Sequence, residues 1–442
     1  MRSLYVCRSA ARTIGLAASL TAALAWPAGE ARASAFQLRE GDPDWLANAF
    51  AGIDAKAYDA GTAWNNPAGM TRLDSSEIDQ GINYFDPGIR FSGQDLVNGQ
   101  PVTGSTGGDA APSAVTGGFE AVWSYSPDLK FGLAVEVPYG LRTVFPQDFV
   151  GRYQSLVSAI DNFQFAPSVA YRLSPQLSIG GGPILSYMHA RLTQAINVTA
   201  FVPPNTASPI ADIHGDGYAA GYQFGALYEV NSSLRLGIDY KSREDFKLSG
   251  QQRVTVAPVI RLQDPFVTAV LDDLNADITS KIALPDVATI SGYYDVNAQW
   301  AIMATAQWTH WSLIPDITVR TPTSAEVTPV GFNDTWLESI GANWRPRNMP
   351  SLLLQTGLLF DHGANTDFTR GPRLPDEARI GPTIGFTYDI TPRMRFRMAY
   401  LHEFGAGGTR INYTNNFPSS GTLIGNFNDN ADVTSVGLTY KF

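Results

Sequence analysis

Cysteine is almost missing from this chain: Cys7 is the only one among 442 residues. No disulfide can form within one copy, so an exported form must draw its stability from strand pairing and burial. Long apolar runs are missing too. Nothing in the chain reaches the roughly 18 uninterrupted apolar residues of a membrane-spanning helix. Basic residues are scarce, 31 Lys and Arg against 41 Asp and Glu, and an acidic chain argues against nucleic-acid binding. Histidine occurs only at His189, His214, His310, His362 and His402, none with the H-x-x-x-H spacing of a helical metal site. No G-x-S-x-G nucleophile elbow is present. These absences predict no metal, no cofactor and no catalytic residues.

The first residues state where the protein goes. Arg2, Arg8 and Arg12 precede an uncharged, mostly apolar run from Ile14 to Trp26, and Ala31-Arg32-Ala33 offers an A-x-A cleavage site. This is the layout of a secretory signal peptide over residues 1–33, too short to span a bilayer. The mature chain is expected to start at Ser34. Cys7 lies before the apolar run, so it is not a lipid-bearing cysteine, and the mature chain would contain none. Residues 1–33 carry four arginines and one glutamate, so their loss takes the formal charge from −10 to −13.

From Glu77 onward, apolar residues recur with period two. In "RMRFRMAYLHEF", Met394, Phe396, Met398 and Tyr400 share one face, and Arg393, Arg395 and Arg397 share the other. "GYAAGYQFGALYEV" and "LRLGIDYKSRE" repeat the arrangement. A soluble sandwich also alternates. Three arginines in register need water or partners, however, and the apolar faces carry aromatics at their extremities, as interfacial girdles require.

Fourteen strands are predicted, at 77–85, 114–125, 130–144, 162–174, 177–196, 217–230, 234–255, 281–295, 298–312, 335–346, 351–361, 377–390, 393–405 and 433–442. Their connections alternate between tight turns ("SPDL", "SPQ", "NSS", "VNA", "TPR") and long loops. Short turns on one side and long loops on the other are the plan of an outer-membrane barrel, closed so that no unpaired edge faces lipid. The fold class is thus all-β, a 14-stranded antiparallel transmembrane barrel over residues 77–442. The last strand sets Val436, Leu438, Tyr440 and Phe442 on one face.

Residues 34–76 do not alternate. They are rich in alanine and contain the turn Asn66-Pro67-Ala68-Gly69. A segment of small residues suits a compact plug, or hatch, inside the lumen. Pro67 fixes its own φ, Gly69 permits left-handed backbone, and Asn66 caps the turn through its side chain.

The segment "SAFQLREGDPDWLANAFAGIDAKAYDAGTAWNNPAGMTRL" resembles the mature N-terminus of the FadL/TodX-type transporters, the long-chain fatty acid transport proteins of the outer membrane. The resemblance continues through "FGLAVEVPYGLRTVF", "GRYQSL", "FAPSVAYRLS", "GALYEVNSSLRLGIDYKS", "WTHWS" and "RGPRLPDEAR". It implies a hatch-plugged barrel of fourteen strands that passes hydrophobic molecules without a cofactor. The partners so implied are a long-chain fatty acid or other hydrophobic small molecule and outer-membrane lipid, with a monomeric barrel. A general porin, a barrel for aromatic hydrocarbons, and a barrel-based hydrolase or adhesin are the alternatives. Separately, the amphipathic last strand ending in Phe442 resembles the signal read by the outer-membrane barrel assembly machinery.

Three candidate regions follow. Phe36 and Leu38 open the hatch with no strand to pack in, and the resemblance places them against the ligand. In the third strand, alternation stops at Pro138-Tyr139-Gly140, where proline removes a ladder hydrogen bond and glycine weakens pairing. By resemblance this is a lateral opening in the barrel wall. The long loops 197–216 and 256–280 carry the apolar residues Phe201, Val202 and Ile210 and a short helix capped by Asp264, with Phe266, Val267, Val270, Leu271 and Leu274 read as one apolar face. By resemblance they form a first groove for apolar ligands. Asp272 and Asp273 read as a solvated face. Two positions that are basic in fatty-acid transporters appear here as Gln194 and Asn333, leaving Arg191, Arg243 and Arg397 as candidate carboxylate partners.

Overall fold

The computed structural model describes residues 35–201, 207–407, 409–415 and 420–442; the expected cleavage site and Val202 lie outside them. Fourteen strands form one closed antiparallel sheet. They are β1 (Glu77–Val97), β2 (Ala114–Ser124), β3 (Leu129–Glu136 and Gly140–Val144), β4 (Val157–Arg172), β5 (Leu177–Ala195), β6 (Ile210–Glu229) and β7 (Leu234–Lys241 and Glu244–Thr255). Then come β8 (Ala276–Leu284 and Val287–Asp295), β9 (Trp300–Thr309), β10 (Thr335–Trp344), β11 (Leu352–Asp361), β12 (Arg379–Thr391), β13 (Met394–Gly405) and β14 (Thr422–Lys441). Each pairs with the next, and β14 closes on β1 from Glu77↔Lys441 to Leu96↔Thr422.

Several boundaries differ from the sequence expectation. β1 runs on through Pro87 to Val97, although "DPGIRFSG" reads as a loop. Its extra length is matched by β14, which begins at Thr422 rather than 433. The loop 313–334 contains a hairpin, Asp316–Arg320 with Ala325–Pro329, and its first arm pairs with β8. The strands β7 and β8, expected to be continuous, both break at one level, at 242–243 and 285–286.

The outer face is apolar between two aromatic bands. Trp123, Tyr171, Tyr228, Trp300 and Trp344 stand near the short turns, and Tyr84, Phe163, Tyr218, Trp336 and Tyr400 near the long loops, all exposed. Between them lie exposed Ile238, Ile290, Ile302 and Ile340. That banding is the surface a bilayer requires of a barrel. No helix among the described residues is long and apolar enough to cross a membrane.

The lumen is filled by the N-terminal segment. Three short helices, α1 (Pro43–Ala47), α2 (Ile53–Lys56) and α3 (Thr62–Asn65), lead into a 3-10 turn, Pro67–Arg72. Trp45, Leu46, Phe50 and Trp64 pack against the wall residues Ile184, Leu337, Leu359 and Leu401. Asn66 is fully buried. Its Oδ1 accepts from the Ala68 N–H at 3.1 Å, and its Nδ2 donates to the carbonyls of Asp54 at 2.8 Å and Ala226 at 3.0 Å. The expectation for Gly69 needs correcting. It does not take a left-handed φ; glycine is needed because a Cβ there would stand 2.1 Å from Thr62 Oγ1.

Charge fixes the hatch to the wall. Arg395 and Arg397 of β13 look into the lumen, as their parity predicts, whereas Arg393 lies exposed in the turn before the strand. Arg397, fully buried, reaches Asp42 at 2.8 Å and Asp59 at 3.1 Å in the hatch, and Asp79 of β1 at 3.0 Å. Lys56 holds Asp44 at 2.7 Å. Removing one partner of such a buried group strands the others and costs about 3–5 kcal/mol. An Arg397→Met protein should therefore insert as a heat-modifiable barrel yet lose its seal. Single-channel recording should show a steady leak absent from the wild type, and an unchanged closed state would argue against this anchor.

Candidate functional site: an opening in the barrel wall

β3 is where the sheet departs from regular closure. It pairs with β2 from Ser124↔Lys130 up to Phe119↔Val135 and no further. At Pro138 the strand has no N–H to offer, and after the break Gly140–Val144 pairs with β4 alone. The β3-facing edge of β2 at Ala114–Gly118 is therefore left without a ladder.

The hatch takes up part of what β3 loses. The Leu38 N–H donates to the Pro138 carbonyl at 2.8 Å, the Gly140 N–H donates to the Phe36 carbonyl at 3.0 Å, and Gln37 bridges Tyr139. Residues 36–38 thus act as a short extra strand on the inner side of the break. Gly140 favours this approach, since a Cβ there would lie 2.8 Å from Leu38 Cδ1 and make that side chain shift.

A cavity of about 800 Å³ opens at the break. Phe36, Leu38, Val137, Tyr139, Gly140 and Leu141 line it from the hatch and β3, and residues 111–117 from the β2 side. Val115 and Phe163, 69% and 51% exposed, line it as well, so it reaches the outer face of the wall. Beneath it, a pocket of about 60 Å³ touches Leu38, Pro138 and Tyr139 and continues to Phe50 and Trp64 of the hatch.

Phe36 is buried in an aromatic cluster, 4.8 Å from Trp311 and 6.0 Å from Tyr139 between ring centroids, with Trp311 5.9 Å from Phe332. Ile160, Met188, Phe246, Leu248 and Leu284 complete this apolar floor. Sequence reasoning missed Trp311 and Phe332. Trp311 follows the end of β9 in "WTHWS", where the alternation stops, and that interruption is the only local signal.

The loop candidates lie elsewhere and split into two groups. Helix α4 (Pro258–Gln263) is followed by α5 (Pro265–Asp273), whose Asp264 cap accepts from the Val267 N–H at 2.9 Å. Val267 and Leu271 are buried with Val198, Val254, Val256 and Ile260. Phe266 and Val270 are exposed, as are Phe201 and Leu262, the latter 84%. The single face expected from sequence is two adjacent stripes, one holding the loops together and one free. Asp272 pairs with Arg261 at 3.0 Å.

The candidate carboxylate partners are placed away from the cavity. Arg191 alternates with inward Met188 and Ala190, so it points out of the barrel, where Asp212 binds it at 2.7 Å. Arg243 pairs with Asp245 at 3.3 Å, and Arg397 is consumed by three aspartates. Gln194 accepts from Arg373, while Asn333 donates to the Ala364 carbonyl. Each histidine stands beside an acid: Asp216, Asp212, Asp286, Glu338 and Asp432 in chain order. No group of metal-ligating side chains occurs among the described residues.

A closed barrel with a filled lumen and an apolar cavity through its side belongs to a channel-forming protein of the outer membrane. The chain is a member of the outer membrane protein transport protein family (OMPP1/FadL/TodX), whose model matches residues 24–442. Such proteins carry hydrophobic compounds across the outer membrane. The chain is 28% identical over 405 residues to the 47 kDa outer membrane protein of Pasteurella multocida, covering 88% of this chain and 92% of that one. It is 25% identical over 433 residues to a long-chain fatty acid transport protein of Escherichia coli, covering 91% and 92%. In fold it is similar to a Pseudomonas aeruginosa FadL homologue (TM-score 0.85, 22% identity, 92% and 100% covered). It is also similar in fold to the Ralstonia pickettii toluene transporter TbuX (TM-score 0.66, 16% identity, 91% and 99% covered).

Truncating Phe36 tests the floor of the cavity. A fully buried side chain of this kind contributes roughly 1.5–3 kcal/mol, so Phe36→Ala should weaken binding of an apolar ligand about tenfold or more. Fluorescence displacement on folded protein reads the effect. Unchanged affinity would remove Phe36 from the site.

Proposed function

We propose that this protein is a passive, monomeric transporter that captures hydrophobic small molecules at its extracellular loops and releases them sideways into the membrane. Long-chain fatty acids and aromatic hydrocarbons are the cargo classes that its relatives' names suggest. Phe201, Phe266 and Val270, exposed over the loop core, with Leu271 in the core beneath, form the capture surface. Phe36 and Leu38 form the inner end of the pocket, and Pro138, Tyr139 and Gly140 the lateral gate. Residues 1–33 are removed on export and 34–76 form the hatch. Phe442 serves recognition by the assembly machinery. No catalytic step and no cofactor enter.

The observation that carries this reading is a cavity running from Phe36 and Leu38 to lipid-facing Val115 and Phe163. A hydrophobic cargo has a reason to take it. Leaving through a water-filled mouth costs about 0.8 kcal/mol per methylene, and a side exit into lipid avoids that cost.

Replacing Pro138 and Gly140 together by valine gives β3 back an N–H and drives a side chain into Leu38. The expected result is a barrel that folds, as judged by heat-modifiable gel mobility, still takes up ligand at its exposed loop surface and fails to deliver it in labelled-substrate uptake. Wild-type uptake by a variant whose wall is shown to be closed would rule out the lateral route.

A further inference from the structure

The cavity is lined by acidic as well as apolar residues. Besides Phe36, Val137 and Leu141 its lining includes four carboxylates, Glu40, Asp376, Glu403 and Asp429, and on the inner wall one guanidinium, Arg379. Arg142 and Asp161, at the outer mouth, pair at 3.6 Å and cancel. The inner wall is left with a formal excess of three negative charges.

Among the described residues, the cations on the inner wall and beside it are taken up by protein partners or stand off the cavity. Arg379 holds Glu403 at 3.2 Å and Asp376 at 3.7 Å. Arg39 is bound to Asp361 at 3.0 Å and donates to Gln307 at 2.7 Å. Arg370 donates to the Asp376 carbonyl at 2.8 Å and pairs with Asp367 at 3.5 Å. Arg373 donates through Nη2 to Gln194 beside Glu326; its Nη1 has no partner, but Arg373 does not line the cavity. A cargo carboxylate in this cavity would meet its own sign of charge in a poorly screened site. An uncharged head of the same length would not.

We propose that Glu40, Asp376, Glu403 and Asp429 act as a charge filter, so that the cavity passes uncharged hydrophobic molecules and rejects carboxylates of the same chain length. This inference rests on the lateral route proposed above and narrows its cargo. A fatty acid would cross only in its neutral, protonated form.

The filter should depend on pH. Burial and the neighbouring Glu403 push the Glu40 carboxyl up to about 7. Burial likewise pushes Asp376 up to about 7, against Arg379 and the N–H groups of Ala35 and Ala364. The other charged groups facing this pair are Arg39, Asp361 and Asp429, with Glu377 behind Asp429. Because both carboxyls lie above their ordinary values, they are neutral below about pH 7 and charged above it. Rejection of an anion should therefore strengthen as pH rises.

Cells producing the full-length protein can be given labelled dodecanol, dodecanoate or dodecyl sulfonate, the last charged at every pH used. At pH 8, dodecanol uptake should exceed that of either anion at least tenfold, and the gap for the sulfonate should narrow at pH 6. Glu40→Gln with Asp429→Asn should raise the anion-to-alcohol ratio at pH 8 about tenfold, and Glu40→Gln alone by less, should the double variant fold poorly. Anion uptake equal to that of dodecanol at pH 8, or a ratio unmoved in folded variants, would overturn the filter. Failure of the parent reading looks different: dodecanol uptake would then survive closure of the wall by Pro138→Val and Gly140→Val.

Discussion

Lipid cannot satisfy a backbone hydrogen bond, and the rest of this structure depends on that constraint. It forces the sheet to close, from β1 round to β14, and makes any hole in the wall expensive. β3 nevertheless gives up its pairing with the end of β2. Two things make the break tolerable. Pro138 removes a donor at the break, and residues 36–38 of the hatch supply a partner for the groups that remain. The plug and the side opening are therefore one device: the segment that lines the cavity also holds it open.

The lumen shows a second balance. A wall of alternating strands has no hydrophobic core of its own, so the hatch supplies one. Trp45, Leu46 and Phe50 give it apolar bulk, and the Arg397 cluster gives it position. Burying one guanidinium among three aspartates is costly unless the geometry is filled from all sides. Two of those aspartates come from the hatch and one from β1, so the cluster forms only when the hatch is docked.

Much of the fold was legible in the sequence because period-two alternation is a local signal. The fourteen strands, the lumenal side of Arg395 and Arg397, and the break at Pro138 all follow from it. Strand ends above the membrane were not legible. Pro87 and Gly88 look like a turn, and only their pairing with Ala431 and Asn430 keeps β1 extended. The break in β8 has Pro285 to announce it, whereas Ser242-Arg243 in β7 has no such mark.

The site was legible in part. Phe36, Leu38 and Gly140 were singled out by the absence of a strand and by a broken one, and the structure brings them within contact of each other. Arg191 failed on parity: three residues from inward Met188, it points to the opposite face. The split of helix α5 depends on which loop residues lie beneath it, and no spacing rule contains that. Nor does any local pattern reveal that Glu40, Asp376, Glu403 and Asp429, remote in sequence, share one wall. The central claim is that cargo occupies the hatch and the wall opening in one continuous passage. Photolabelling intact outer membranes with an alkyl diazirine cargo, then mapping the adducts by mass spectrometry, tests it most directly. Adducts on residues 36–38 together with 114–117 and 140–142 are expected. Adducts on Phe50, Trp64 and Asn65 with none on 114–117 would mean that the cargo descends through the hatch, and would contradict the account.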